Sequence, residues 1–300
     1  MVAVLFTTFQ VYYEKYTSIM ERGEMSPQPT EITSVWEPQA REHAADLVLQ
    51  GEAIGTYNRG VCAIWGDGES PHFPTRVAQI KGEKRGERPL AASLRTSTFV
   101  EMIDPTKISP DLHDLFLKAD ELAKRTSSLC FIRAPITEAA AAKIPAAMLS
   151  RSADGTPLLQ NWDPEGHEPT LLLLEELYKK GIVYPAVTSM NVSGTPELVT
   201  EEEGIAFSKK TKIPLFLTDP RDPKKVQGSY TILGIHQDGI ELVRDGNIPA
   251  KLIQRLLGVP IDTSHARPPS HPQTAFPETL LMQKHPADGR TAILTFVSTA

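Results

Sequence analysis

The feature that most constrains this chain is the alternation of short apolar runs with helical segments in its C-terminal half. An apolar run at 183–187 leads into Thr188-Ser189-Met190-Asn191-Val192-Ser193-Gly194, and a helix is expected from Pro196 because proline suits a first helical turn. A compact strand is expected at 213–217. Two further runs, 230–235 and 240–243, flank Gln237-Asp238-Gly239 and read as a hairpin with an Asp-Gly turn. Helical spacing returns over 248–257 and ends at Gly258. A hairpin inside strand–helix alternation implies an α/β fold, with a twisted mixed sheet covered by helices.

The N-terminal half repeats the pattern less regularly. Residues 1–40, with Pro27 and Pro29 among polar residues, show no helix or strand period and read as an extension. Pattern begins at Arg41. An amphipathic helix over 42–50 stops at Gly51, and a strand-like run over 53–64 is broken by Asn58 and Arg59. Val77, Ala78 and Ile80 lead at helical spacing into 76–88, where five Lys or Arg face two Glu. A strand is expected at 89–94, and helices over 110–125 and 170–180, the latter with Thr170 as N-cap and Gly181 as stop. The stretch 150–169, rich in Gly, Pro, Asp and Asn, reads as a surface loop or insertion. Beyond 258 lies a Pro-rich linker with Pro268, Pro269 and Pro272, then one terminal strand candidate at 291–297.

Composition narrows the function. A net charge of −6 argues against a protein whose main task is coating nucleic acid, although one basic groove would leave RNA possible. Two cysteines, Cys62 and Cys130, make neither a disulfide framework nor a four-cysteine zinc site, so buried thiols in a reduced cytoplasmic setting are expected. No run reaches the ~18–20 apolar residues of a membrane span, and no membrane partner is expected. The eight histidines lack metal-ligand spacing, so no protein-held metal is expected. The P-loop, dinucleotide-fingerprint, zinc-protease and nucleophile-elbow motifs are absent.

Two clusters carry chemistry. Lys81, Lys84, Arg85 and Arg88 follow a helix end within one loop and suit a triphosphate; a solvated charge run is the bland alternative. Ser189, Asn191 and Ser193 alternate with apolar residues, so an extended segment would turn all three one way. With Gly194 and a following helix N-terminus they would cradle phosphate; a capped strand-to-helix turn would look the same.

Lys81-Gly82 with Arg88-Pro89-Leu90, and Ser189 to Gly194, resemble the two nucleotide motifs of the YrdC-like family, the threonylcarbamoyl-AMP synthases. Ser229-Tyr230-Thr231 and Arg244-Asp245-Gly246 with Ile248 are similar to its closing strand and exit, and the order holds from about Asp46 to Leu257. The resemblance implies a YrdC-like domain over 41–258, between the extension 1–40 and the tail 259–300. It also implies ATP, with Mg²⁺, and a small-molecule co-substrate: the family joins bicarbonate and L-threonine to AMP and releases pyrophosphate. Carried over, Lys81, Ser189 and Asn191 contact the nucleotide, with Arg88, Ser193, Ser229 and Arg244 beside them. The family's second cation falls on Glu83, and Arg85 takes that role if the loop is re-threaded.

The amino-acid pocket departs from the family. Its threonine motif falls on residues 57–63, where Asn58 and Arg59 stand, with Arg59 at an acidic position. Its histidine falls on Ser93 and its motif arginine on Trp162. Unpaired polar groups reject a ligand, so free L-threonine is expected to be a poor substrate and an anion near Arg59 a better one. The expected activity is adenylyl transfer to a carboxylate or carbamate. A non-catalytic nucleotide or RNA binder, and an ordinary threonylcarbamoyl-AMP synthase, are the alternatives.

Overall fold

The computed structural model describes residues 29–82, 85–86, 88–222 and 227–271, with two short strands beyond. Strand β1 (Glu31–Ser34) and helix α1 (Pro38–Leu49) precede a hairpin of β2 (Ile54–Asn58) and β3 (Val61–Asp67). Its two-residue turn, Arg59-Gly60, has positive φ at both positions, the backbone a twisted two-residue hairpin needs. Helix α2 (His72–Lys81), strand β4 (Ala91–Ala92) and helices α3 (Thr96–Val100), α4 (His113–Phe116) and α5 (Ala119–Thr126) follow. Next come β5 (Cys130–Pro135), α6 (Glu138–Ala141), β6 (Leu149–Arg151), β7 (Pro157–Asn161), α7 (Glu168–Lys179) and β8 (Pro185–Ser189). The domain closes with α8 (Glu201–Thr211), β9 (Leu215–Thr218), β10 (Thr231–His236), β11 (Gly239–Arg244) and α9 (Ala250–Leu257). Strands β12 (Met282–Lys284) and β13 (Ala292–Leu294) pair with each other.

Eleven strands form one mixed sheet in the order β1-β9-β2-β3-β8-β4-β7-β5-β10-β11, with β6 on β7. Side chains alternate faces along each strand. On β3, Cys62 and Ile64 enter one core with Phe73 of α2 and Ile253 of α9. Val61, Ala63 and Trp65 enter the other, with Ala44 and Val48 of α1 and Leu173 and Leu177 of α7. Helices therefore cover both faces.

Several expectations change. Glu31–Ser34 pairs in parallel with β9, so the sheet takes in residues ahead of the Arg41 start; four residues are too few to show a period. The stretch 150–169 is not an insertion, because β7 lies between β4 and β5, inside the sheet. Its Leu158 and Leu159 are an apolar run too short to stand out among turn formers. The helix expected over 110–125 breaks at Lys118, which is extended, and the strand at 89–94 shrinks to two residues. The helix expected from Pro196 begins at Glu201, where Thr200 and Glu203 form a reciprocal capping box. Both cysteines are buried. Among the described residues no helix is long and apolar enough to cross a membrane. Glu83, Lys84, Pro272 and residues 1–28 lie outside the described residues.

Candidate active site

Lys81, the last residue of α2, points into the sheet. Its Nζ donates to the Ser189 carbonyl and to Asn191 Oδ1, the latter at 2.6 Å. Ser189 Oγ donates to the same Asn191 oxygen at 2.8 Å, and Asn191 Nδ2 donates to the Thr195 carbonyl at 2.7 Å. The backbone closes the junction, Ser193 N donating to the Lys81 carbonyl at 2.8 Å. Residues more than a hundred positions apart thus meet at the end of β8. Burial, with Arg85 next and Arg88 after it, pulls the Lys81 ammonium down to about 7. Arg85 is itself buried and donates to the Arg88 carbonyl at 2.7 Å; burial, then the Arg88 charge, lowers its pKa.

No helix N-terminus directly follows Gly194, because the next helix begins at Glu201. Strand β8 ends at Ser189, so Asn191 and Ser193 do not continue an extended row. The chain stays irregular to Thr200 because Leu198 is stitched between Met190 O and Cys62 N.

Beside this junction a cavity of about 130 Å³ opens over the middle of the sheet. Asn58, Ser189, Ser229 and Arg244 line it among the expected residues. Its wall is aromatic: the Trp162 ring lies 5.1 Å from Tyr230 and 6.2 Å from Phe131, and all three face the cavity. Trp162 is pinned to β4 by its backbone N–H on the Ala92 carbonyl at 3.0 Å, and its carbonyl accepts from Ser93 Oγ at 3.1 Å. Arg244 donates to the Tyr230 carbonyl at 2.8 Å, and burial lowers its pKa. Two donors at this wall, Trp162 Nε1 and Arg244 Nε, are buried without a hydrogen-bond partner. Each N–H can donate one further hydrogen bond to an acceptor that reaches it.

Gly246 explains the arginine–glycine exit. A Cβ there would stand 2.2 Å from Thr231 N and 2.4 Å from the Tyr230 carbonyl carbon, both backbone. Gly246→Ala is therefore expected to cost at least about 1–3 kcal/mol, read as a lower urea midpoint, while displacing Ser229 and Arg244. An unchanged midpoint would contradict this packing.

No family model and no curated protein matches the chain. Solved structures do. A doubly alanine-substituted P. abyssi Sua5 superposes with a TM-score of 0.59 at 20% identity, over 77% of this chain and 65% of that one. P. abyssi Sua5 complexed with L-threonine gives 0.58 at 19%, over 77% and 62%. E. coli YciO gives 0.56 at 15%, over 76% of this chain and 100% of its own. The chain has the YrdC-like fold. Its match spans under two thirds of the Sua5 chains' length.

Within this YrdC-like domain two expected pocket residues stand elsewhere. Arg59 is not part of the cavity lining: its guanidinium donates to the Gly166 carbonyl at 2.9 Å, in the loop before α7. The hairpin turn aims that guanidinium at the loop before α7. Ser93 is fully buried behind Trp162 and supports it. Glu197 was missed by sequence reading. It is buried and accepts from Ser229 N at 2.6 Å; burial raises its pKa, but hydrogen bonds from Ser229 and the Arg244 charge outweigh that and lower it. A lone glutamate in an expected helix gave no signal.

A second polar cluster also escaped. His167, Asp219 and Asp222 place one ligand-type atom each within 4.8 Å of one another. Burial, with Arg59 next, holds the His167 imidazole well below its ordinary pKa. Sequence spacing could not show it, since His167 precedes α7 and the aspartates follow β9.

Proposed function

We propose that this protein is an ATP-dependent adenylate-forming enzyme acting on a small carboxylate or carbamate other than free L-threonine. The observation that carries this reading is the Lys81–Ser189–Asn191 junction at the rim of a cavity with two orphaned donors. A cavity near 130 Å³ is of the size that holds a benzene-sized molecule, since ~150 Å³ does so. It suits the co-substrate, while the triphosphate, with Mg²⁺, lies toward Lys81, Arg85 and Arg88. A carboxylate oxygen of the co-substrate attacks the α-phosphorus; the bond to the β-phosphate bridge breaks and pyrophosphate leaves. Cations neutralise the leaving group, and positioning does most of the remaining work.

The matched Sua5 was solved with L-threonine. Here the aromatic wall of Phe131, Trp162 and Tyr230 favours an apolar body, and Arg244 Nε with Trp162 Nε1 favours an anionic head. Arg59 does not line the cavity and makes no direct contact in that preference. The test is a panel of carboxylates and of amines with bicarbonate, each with ATP and Mg²⁺, scored for pyrophosphate and adenylate mass. An apolar carboxylate or carbamate is expected to outrun L-threonine. Robust threonine-dependent release would show an ordinary threonylcarbamoyl-AMP synthase. Tight nucleotide binding with no release from any member would show a non-catalytic binder.

A further inference from the structure

We propose that His167, Asp219 and Asp222 bind a first-row divalent metal ion such as zinc or manganese, independently of any nucleotide. The donor atoms converge from two loops, with His167 and Asp219 buried and Asp222 partly so. His167 Nδ1 stands 2.8 Å from Thr170 Oγ1, which leaves Nε2 for the carboxylates. Nε2 faces Asp219 Oδ2 at 3.9 Å, too far for a hydrogen bond. Two ligands each about 2.0–2.2 Å from a shared ion stand roughly 3–4 Å apart, so the gap suits an intervening metal.

The other Asp219 oxygen is already occupied. Oδ1 accepts from Trp36 Nε1 at 2.7 Å and from Arg221 N at 3.2 Å, which orients Oδ2 toward the imidazole. A hydroxyl on the far imidazole nitrogen and an indole on the far carboxylate oxygen are the outer partners metal ligands usually have. One imidazole with two carboxylates suits zinc, manganese, iron or cobalt rather than the soft copper(I) ion. The charge of nearby Arg59 opposes a cation at this site, and the two carboxylates offset it. The site also touches the cavity: Thr170 Oγ1 lies 3.2 Å from the Asn58 amide, which lines it. A metal here would tie the β9 loop to the start of α7 and stiffen that wall.

The experiment uses the full chain, stripped with a chelator and free of nucleotide. Zinc and manganese are titrated calorimetrically, and cobalt is followed by its visible absorption. One equivalent per chain is expected, with a raised melting temperature. His167→Gln and Asp222→Asn are each expected to weaken binding at least tenfold and to abolish the thermal shift. If His167→Gln does not fold, the half-buried Asp222→Asn carries the test alone. No stoichiometric uptake by the unaltered protein, or equal uptake by Asp222→Asn, overturns the proposal. Neither readout depends on adenylate formation, so the two readings fail separately.

Discussion

Lys81→Ala is expected to weaken binding of a non-hydrolysable ATP analogue by about 10- to 150-fold, the worth of a charge-assisted phosphate contact near 1.5–3 kcal/mol. The fold should survive, because Asn191 Oδ1 keeps the Ser189 hydroxyl when the amine is gone. The pH dependence is the sharper signature. Burial draws its pKa down to about 7, so the Lys81 side chain gives up its proton far more readily than a free lysine, and a neutral amine's two N–H groups match the two acceptors present. Triphosphate restores the ammonium, so binding at pH 8 should take up most of one proton, and affinity should fall as pH rises above 7. Calorimetry in buffers of different ionisation enthalpy measures that uptake. Stability runs the other way. Between about 7 and the ordinary 10.5 the unfolded chain binds a proton the folded chain lacks, so stability rises with pH across that window. Lys81→Met should flatten the rise and stabilise the protein at neutral pH. Unaltered analogue affinity in Lys81→Ala, with the circular dichroism of the native fold, would remove the nucleotide site from this junction.

What the sequence disclosed follows from how each feature is built. Hairpins and helices with local stops, such as Gly51, Gly181 and Gly258, are legible because glycine at positive φ acts within a few residues. The order of short motifs made the YrdC-like fold legible at an identity near 20%. The Thr200–Glu203 capping box is equally local, yet Pro196 stands ahead of it and takes precedence as a start signal when only the sequence is read. Strand β7 hid because a strand bordered by turn formers looks like a loop until its neighbours are known. Site residues were legible as types but not as directions. Arg59 and Ser93 occupy pocket positions in the motif order, yet one reaches Gly166 and the other stands behind Trp162. Side-chain direction depends on the tertiary frame, and so does the meeting of His167 with Asp219 and Asp222.

The aromatic cavity wall gives the other large effect, because Trp162 is at once packing and an orphaned donor. Trp162→Ala removes a fully buried ring and should cost about 3–5 kcal/mol, too much to separate the two roles. Trp162→Phe separates them. It leaves a smaller void against Tyr230 and Phe131, but it deletes a buried N–H without a partner, and such a group costs about 1–3 kcal/mol. The two changes oppose each other, so the melting temperature should move little. Catalysis should not be so tolerant. If the N–H donates to a co-substrate carboxylate, its loss should lower kcat/KM for that acid by about 10- to 150-fold, with ATP-analogue affinity untouched. Arg244→Lys should add to the defect, since it removes the second orphaned donor while keeping the charge. A direct probe needs no turnover: the Trp162 indole proton resonance should shift downfield when acetate or a larger carboxylate is added to the analogue complex. Equal kcat/KM in Trp162→Phe, with an indole signal indifferent to carboxylates, would mean that the cavity takes its ligand without this donor and that the preference for an anion is wrong.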